Sequence, residues 1–241
     1  MMKNTIKLPS HGHTLMVAHR GVSKLETENT AAAFLAAGNR TYYGIETDIW
    51  RTKDGKYICN HDGKSGRLCD TDLVMNDNTL ADLRALRLNN RETGLPDRGD
   101  LMLCLPGEYR SICEHYGKIC VPELKNHFTR EEITEILNIF DGYLDKTCFI
   151  SFHMDNLDLI REQRPGQKVQ FLTSTYSSEI LATIVEKRMD IDIKRAALTE
   201  ENLRELHGAG VTVNVWTVDD PEDAELLIDW GVDQITTNIL E

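Results

Sequence analysis

Apolar, β-branched and aromatic residues recur in short runs along the second half of the chain, as CFISF, KVQFLT, MDIDI, VTVNVW and DQITT, with centres about 21 residues apart. Helical patterns fill most of the gaps. SSEILATIVEKR opens on serines suited to capping, sets Ile180, Leu181, Ile184 and Val185 on one side, and closes on basic residues that suit a helix C-terminus. LTEENLRELHGAG offers Thr199 as N-cap and stops at Gly208 or Gly210. DDPEDAELLIDWG offers Asp220 as cap, Pro221 as first helical residue and Gly231 as stop.

A crossover helix returns the chain to the same end of a sheet, so such units require parallel strands. The first half adds strands at 15–18, 44–48 and 119–125, a helix at NTAAAFLAAG, and a short strand, KYICNH, folded back by a hairpin turn at Asp54-Gly55. Eight main strands and one extra, alternating with helices, predict an α/β protein of the (β/α)8 TIM-barrel type. The alternation lapses over 62–117, read as an insertion after the second strand that carries one or two helices. No linker rich in Pro, Gly or Ser interrupts the chain, so residues 1–241 are read as one domain.

A length of 241 residues suits such a barrel, and the formal net charge of -12 argues against a nucleic-acid partner, which would need clustered Lys and Arg. A small anionic substrate remains compatible, because a cleft can be locally positive in an acidic molecule. No apolar run has bilayer-spanning length and the first residues lack a secretory h-region, so a cytoplasmic protein without stable membrane insertion is expected. The six cysteines lack zinc-type spacing and are expected to be free, mostly buried thiols.

Catalytic groups of such barrels lie at the C-terminal ends of strands. His19 and Arg20 end the first strand, Glu46 and Asp48 the second, His61 the hairpin strand, and Glu123 and Lys125 the third. Residues two apart on a strand share a face, so both pairs can converge on one mouth. Three carboxylates held close repel one another, and a divalent cation resolves that repulsion. An all-oxygen donor set points to a hard ion, Mg²⁺ or Ca²⁺. Two histidines beside it supply a general base and a general acid, and Arg20 and Lys125 supply positive charge for an anion. The set describes metal-assisted chemistry on a phosphate ester.

The motifs AHRG, ENTAAAF, GIETDIWRTKDG, NHDG, PELK, ISF, VNVWTVDD and WGVDQITTN run in order from residue 18 to residue 238. Together they resemble the glycerophosphodiester phosphodiesterase family. The resemblance implies a barrel hydrolase that cleaves a glycerophosphodiester to glycerol phosphate and an alcohol with a bound Mg²⁺ or Ca²⁺. By motif position it implies His19 and His61 as catalytic histidines and Glu46, Asp48 and Glu123 as metal ligands. Arg20 and Lys125 correspond to phosphate contacts, and Trp216 to an aromatic residue at the glycerol end of the pocket. Glu28 and Asn29 are expected to order the loop after His19, with Asn29 also a candidate helix cap. The two-histidine layout suggests attack by the neighbouring glycerol hydroxyl, a cyclic phosphate and its opening by water; which histidine is base and which acid stays open.

Several positions depart from the family's pattern. The last strand ends TTNIL, where an aspartate followed shortly by a proline is typical, so Asn238 leaves the loop geometry open. Pro122, unable to donate to a ladder, predicts a local bulge. Only Leu68 and Arg67 retain traces of a Leu-x-Arg run, so the leaving alcohol is not specified. His11 and His13 are read as a mobile N-terminal stretch, Trp50 and Trp230 as packing residues, His115, His127 and His207 as surface positions, and His153 as either cavity-facing or structural. Two alternatives stand beside the leading reading: a lysophospholipase D-like or phosphoinositide-cleaving enzyme acting on lipid, and a non-catalytic phosphodiester-binding module.

Overall fold

The computed structural model describes residues 4–89 and 98–241. Among the described residues nine strands form one sheet: β1 (Leu15–Ala18), β2 (Gly44–Arg51), β3 (Tyr57–Cys59), β4 (Ile119–Leu124), β5 (Cys148–Ser151), β6 (Lys168–Thr173), β7 (Asp190–Lys194), β8 (Val213–Trp216) and β9 (Gln234–Thr237). Their order is β1-β9-β8-β7-β6-β5-β4-β2-β3, and β1 also pairs with β2, which closes eight parallel strands into a barrel. β3 hangs outside the ring as the antiparallel hairpin partner of β2, Ile49 opposite Cys59.

The helices are α1 (Ala31–Gly38), α2 (Leu80–Arg84), α3 (Pro106–Tyr116), α4 (Arg130–Ile139), α5 (Met154–Gln163), α6 (Ser178–Glu186), α7 (Glu200–Gly208) and α8 (Pro221–Trp230). The local signals act as read: Ser177, Thr199 and Asp220 accept from the first-turn amides of α6, α7 and α8, and Gly231 ends α8 with φ of 87°. Among the described residues, no helix is long and apolar enough to cross a membrane. All six cysteines are free and buried.

Three expectations change. The excursion after β2 is shorter than 62–117, because α3 belongs to the barrel. Its Tyr109 packs edge-on against Phe34 of α1 at 5.0 Å, and the Tyr109 hydroxyl donates to Ile45 O (2.5 Å) and accepts from Val121 N (2.8 Å), bridging β2 and β4. What remains, the described residues between Asn60 and Leu105, has its own apolar cluster around Leu68, Met75, Leu83 and Leu103. Pro122 causes no bulge. β2 and β4 pair one to one from Gly44–Ile119 to Ile49–Leu124. The amides of Ile119 and Lys125 point to β2, so the missing N–H of Pro122 faces β5, where the ladder thins to Glu123–Ile150 and a Cys120–Thr147 bridge in the same register. The N-terminal stretch is tied down: Ile6 bridges Leu240, buried Leu8 donates to Glu241 O at 2.7 Å, and His13 meets Gly231 O at 3.3 Å.

Inside the barrel Val17, Val121, Ile150 and Leu172 form a small apolar plug. The larger core lies between strands and helices, where Phe34, Ile45, Phe140 and Phe149 are buried completely. The plug gives the strand ends above it an apolar floor.

Candidate active site

The loop after β1 is held in an uncommon backbone. His19 N donates to Thr237 O (2.8 Å), and Arg20 and Asn29 both adopt left-handed φ, at 55° and 54°. Such conformations cost energy in residues other than glycine and persist where the surroundings impose them. Here Arg20 N donates to Glu46 Oε2 (2.8 Å) and Asn29 N to Arg20 O (3.1 Å). Gly21 follows with φ of 81°, where an added Cβ would stand 2.5 Å from the Ala33 carbonyl carbon, so only glycine fits. Asn29 does not cap α1: Thr30 does, accepting from Ala33 N. The Asn29 amide instead donates to Asp48 Oδ2 (2.8 Å) and accepts from Thr47 (2.7 Å), because its backbone turns the side chain inward.

Glu46 and Asp48 lie on one face of β2, which runs on to Arg51 beyond the end expected at residue 48, and register sets Glu123 of β4 directly opposite Asp48. All three are buried, and each offers a carboxylate oxygen within 4.8 Å of the others. Lys125 Nζ lies 2.8 Å from Glu123 Oε1 and 3.3 Å from Asp48 Oδ1, while Arg20 Nε lies 3.6 Å from Asp48 Oδ2. Burial pushes all three carboxyls up. Lys125 and Arg20 overcome it at Asp48, which is held well below the usual carboxylate range. Burial and the Asp48 charge raise Glu46 well above that range and bring Glu123 to about 7. Both Asp48 Oδ1 and Arg20 Nε are near opposite charge but lack a hydrogen bond of proper geometry among the described residues. Clustered buried carboxylates, two of them driven toward protonation, with an orphaned oxygen, fit a divalent cation with a preference for oxygen ligands.

The two histidines differ in their partners. His19 Nδ1 is 2.8 Å from Asn238 Oδ1, and Asp219 takes the Asn238 side-chain N–H (2.7 Å) and backbone N–H (2.8 Å). Burial and the Arg20 charge hold His19 down at about 4. His61 Nδ1 is 2.7 Å from Asp62 Oδ1. Burial, Arg20 and Lys125 hold His61 below its ordinary value against the opposing pull of Asp48 and Asp62. Arg67 donates to Asp62 Oδ2 (2.7 Å) and to both oxygens of Glu28 (2.7 and 2.8 Å), and Glu28 accepts from Arg20 at 2.9 Å. The two histidine loops are thereby joined through one charged chain.

These groups surround a cavity of about 240 Å³ at the C-terminal mouth of the barrel. One wall is polar, with His19, Arg20, Glu46, His61, Glu123 and Lys125; the other carries Phe152, Leu172 and Trp216. Of the eight site residues read from the sequence, seven line it and Asp48 lies buried among them. Trp216 meets Phe152 edge-on at 5.8 Å. Beside them is Asp192 of β7, almost wholly buried, with Oδ1 unpartnered among the described residues and its carboxyl raised by burial and by Glu123. A larger groove of about 550 Å³ between α1, α3 and residues 98–104 lies away from the strand ends and, among the described residues, gathers no histidine or carboxylate cluster.

Sequence reasoning missed Asn238, Asp219, Asp62, Arg67 and Asp192 as parts of this site. Two had a visible signal, Asn238 as a departure and Arg67 as a remnant. Asp192 sits two residues after Asp190, the same spacing as Glu46 and Asp48, although Asp190 opens β7. His153 is absent from the cavity lining, Trp50 packs on the excursion's cluster with its indole N–H on His61 O (3.2 Å), and Trp230 packs on the main core beneath Arg195.

Fold and site define a (β/α)8 barrel with two histidines beside an acidic cluster able to bind a divalent cation. A sequence model described as the glycerophosphoryl diester phosphodiesterase family matches residues 19–241, and the chain belongs to that family of phosphoric diester hydrolases. It is 28% identical over 234 residues to a glycerophosphodiester phosphodiesterase of Bacillus altitudinis, covering 93% of this chain and 94% of the relative. Among solved structures it resembles an Oleispira antarctica phosphodiesterase in complex with the product sn-glycerol-3-phosphate (TM-score 0.86, 22% identity, 96% and 93% of the two chains). It also resembles a glycerophosphodiester phosphodiesterase from Thermotoga maritima (TM-score 0.77, 26% identity, 95% and 96%).

Proposed function

We propose that this protein hydrolyses small glycerophosphodiesters to glycerol phosphate and an alcohol, with one Mg²⁺ or Ca²⁺ held by Glu46, Asp48 and Glu123. The observation that carries the reading is the convergence of two differently partnered histidines and three carboxylates on one small cavity. An ion bound there would draw charge from the phosphoryl oxygens. Arg20 and Lys125 bind the phosphate, and Trp216 packs against the glycerol carbons. Asp192, with its unpartnered oxygen, accepts a glycerol hydroxyl. The barrel and its excursion act as one unit, since His61, Asp62 and Arg67 belong to the excursion and face the barrel's own His19 and Glu28.

The partners of the histidines support an allocation of their roles. Asp219 can only accept, so the Asn238 amide turns its N–H to Asp219 and its oxygen to His19; His19 then carries its proton on Nδ1 and leaves Nε2 as a base. His61 shares its Nδ1 proton with a carboxylate, which stabilises the imidazolium and suits the acid. His19 Nε2 takes the proton of the glycerol hydroxyl next to the ester as its oxygen bonds to phosphorus. The bond from phosphorus to the alcohol oxygen breaks, and His61 Nε2 protonates that oxygen. The resulting cyclic phosphate is opened by water with the roles reversed.

The test is glycerol phosphate release from glycerophosphocholine, glycerophosphoethanolamine and lysophosphatidylcholine, each with Mg²⁺ and with Ca²⁺. Turnover of the first two is expected. Preference for the lysophospholipid would move the substrate to the lipid class, and inertness with all three would overturn the reading. Hydrolysis that yields no cyclic phosphate on any time scale would remove the two-step route.

A further inference from the structure

Two histidines and an aspartate meet a second time outside the catalytic cavity. His127 follows β4, His153 follows β5, and Asp155 lies in the first turn of α5; each offers a donor atom within 4.8 Å of the other two. The imidazole rings stand 3.8 Å apart, tilted by 37°, and His127 Nδ1 lies 2.7 Å from Asp155 Oδ2. None of the three lines the cavity described above.

An exposed His–Asp contact is common on protein surfaces and by itself means little. Here the backbone beneath it is fixed. Asn156, wholly buried, accepts from Phe128 N (2.9 Å) and donates to Asn126 O (2.7 Å), gripping the peptide groups on either side of His127. The same amide donates to Ser151 Oγ (3.1 Å), which accepts from His153 N (3.1 Å) and donates to Leu124 O (2.8 Å). Two buried polar side chains therefore lock two loops so that three metal-ligating side chains share one exposed spot. Ligand atoms around a four-coordinate ion with bonds of about 2.0–2.2 Å stand roughly 3.4 Å apart. The three donor atoms already lie within 4.8 Å of one another, close to that spacing. The positive end of α5 opposes a cation there, and the Asp155 carboxylate offsets it.

We propose that His127, His153 and Asp155 form a second metal site that takes a borderline divalent ion of the zinc, cobalt or nickel class, with water completing the coordination. Imidazole donors favour such ions, whereas the all-carboxylate cluster in the cavity favours Mg²⁺ or Ca²⁺, so donor chemistry sorts the two sites. The inference rests on different residues from the catalytic reading and stands or falls separately.

The whole chain, with the carboxylate cluster saturated by excess Mg²⁺, is titrated with Zn²⁺ by calorimetry. One Zn²⁺ per chain is expected in the wild type and in Glu46→Gln. Affinity should fall by at least about tenfold in His127→Ala and in His153→Ala, as loss of a group supporting a metal site does. With Co²⁺ in place of Zn²⁺, the visible absorption bands of histidine-bound cobalt should appear in the wild type and in Glu46→Gln and vanish in His153→Ala. Thermal midpoints in Mg²⁺ alone establish that the histidine variants are folded. Zinc binding unchanged by both histidine substitutions, or absent from the wild type, would overturn the proposal.

Discussion

His19 Nδ1 and Asn238 Oδ1, 219 positions apart in the chain, lie 2.8 Å from each other, and Asp219 fixes which way the amide points. Ser23 also donates to the same Asn238 oxygen, at 2.6 Å. Asn238→Ala is expected to lower kcat by about tenfold or more, because His19 then samples the wrong tautomer. Asn238→Asp puts a negative charge beside the imidazole and favours its protonated form. The acid limb of the kcat/KM profile, set low by a His19 held near 4, should then move to higher pH. An unmoved limb in Asn238→Asp would refute the base role of His19.

The strands were legible because a barrel strand is covered on both faces and reads as a continuous apolar run. Lys168–Thr173 and Leu15–Ala18 emerge residue for residue. The candidate site residues were legible for the same reason: polar residues at the C-terminal ends of such runs stand out, and alternation puts Glu46 and Asp48 on one face. α3 did not stand out, since PGEYRSICEHYG buries only Pro106, Tyr109 and Cys113 and shows little apolar contrast. Asn29 was misread as a cap because Thr30 beside it is an equally good one, and only the positive φ reveals where its amide goes. Asp219 and Asn238 act on His19 across closure of the barrel, a relationship with no local pattern.

The proposed division of labour between the histidines can be tested with the leaving group. An acid is needed to expel an alkoxide and is hardly needed to expel a nitrophenolate. On glycerophosphocholine, His19→Ala and His61→Ala should each lose about 10²-fold or more in kcat. On a nitrophenyl diester of glycerol phosphate, most of the His61→Ala deficit should disappear while that of His19→Ala persists. The opposite pattern, measured by steady-state kinetics, would exchange the two roles.

With a cation held as proposed, metal and pH would act together through Glu123, whose carboxyl is brought to about 7 by burial and the Asp48 charge. Without metal, the proton on Glu123 stabilises the fold fully below its ordinary 4.5, and that contribution is lost as pH rises through about 7. A bound cation requires the ionised form, so affinity increases over the same window. His19 works in a lower and opposite window, costing stability as pH falls from 6.5 toward 4. At one hundred times Kd, ligand binding stabilises by about 2.7 kcal/mol. For a chain of this size that corresponds to a rise in Tm of about 5–10 °C. Calorimetry with and without Mg²⁺ or Ca²⁺ should show the larger rise at pH 8 than at pH 6; equal rises would contradict the assignment of Glu123 as a ligand.

Asp192 tests substrate orientation. Its Oδ1 is buried without a partner among the described residues, whereas Trp216 Nε1 donates to the Asp192 backbone carbonyl at 3.2 Å and would survive substitution. A hydrogen bond from a glycerol hydroxyl to this group is worth about 1.5 kcal/mol, or roughly tenfold in affinity. Asp192→Ala is expected to raise KM for a glycerophosphodiester by about that factor and to leave KM for an ester lacking the free hydroxyl unchanged. Equal effects on both esters would show that the substitution acts through packing alone.

Arg67 tests whether the excursion is part of the catalytic unit. Its guanidinium spans Asp62 and both oxygens of buried Glu28. Burial raises the Glu28 carboxyl, but Arg67 and Arg20 more than reverse this and hold it below 4.5, so its contribution to stability is present above that pH and fades as pH falls through the lowered value. Arg67 is about one-third exposed, which screens part of the interaction. Arg67→Ala is therefore expected to cost about 1–2 kcal/mol at pH 7, read as a lower urea midpoint, with the deficit shrinking below about pH 4.5. Lys cannot reproduce the forked geometry, so Arg67→Lys should restore only part of the loss. kcat should fall with stability, since Asp62 loses the partner that aims it at His61. A variant with the wild-type urea midpoint and turnover would show the Arg67 chain to be incidental to both fold and site.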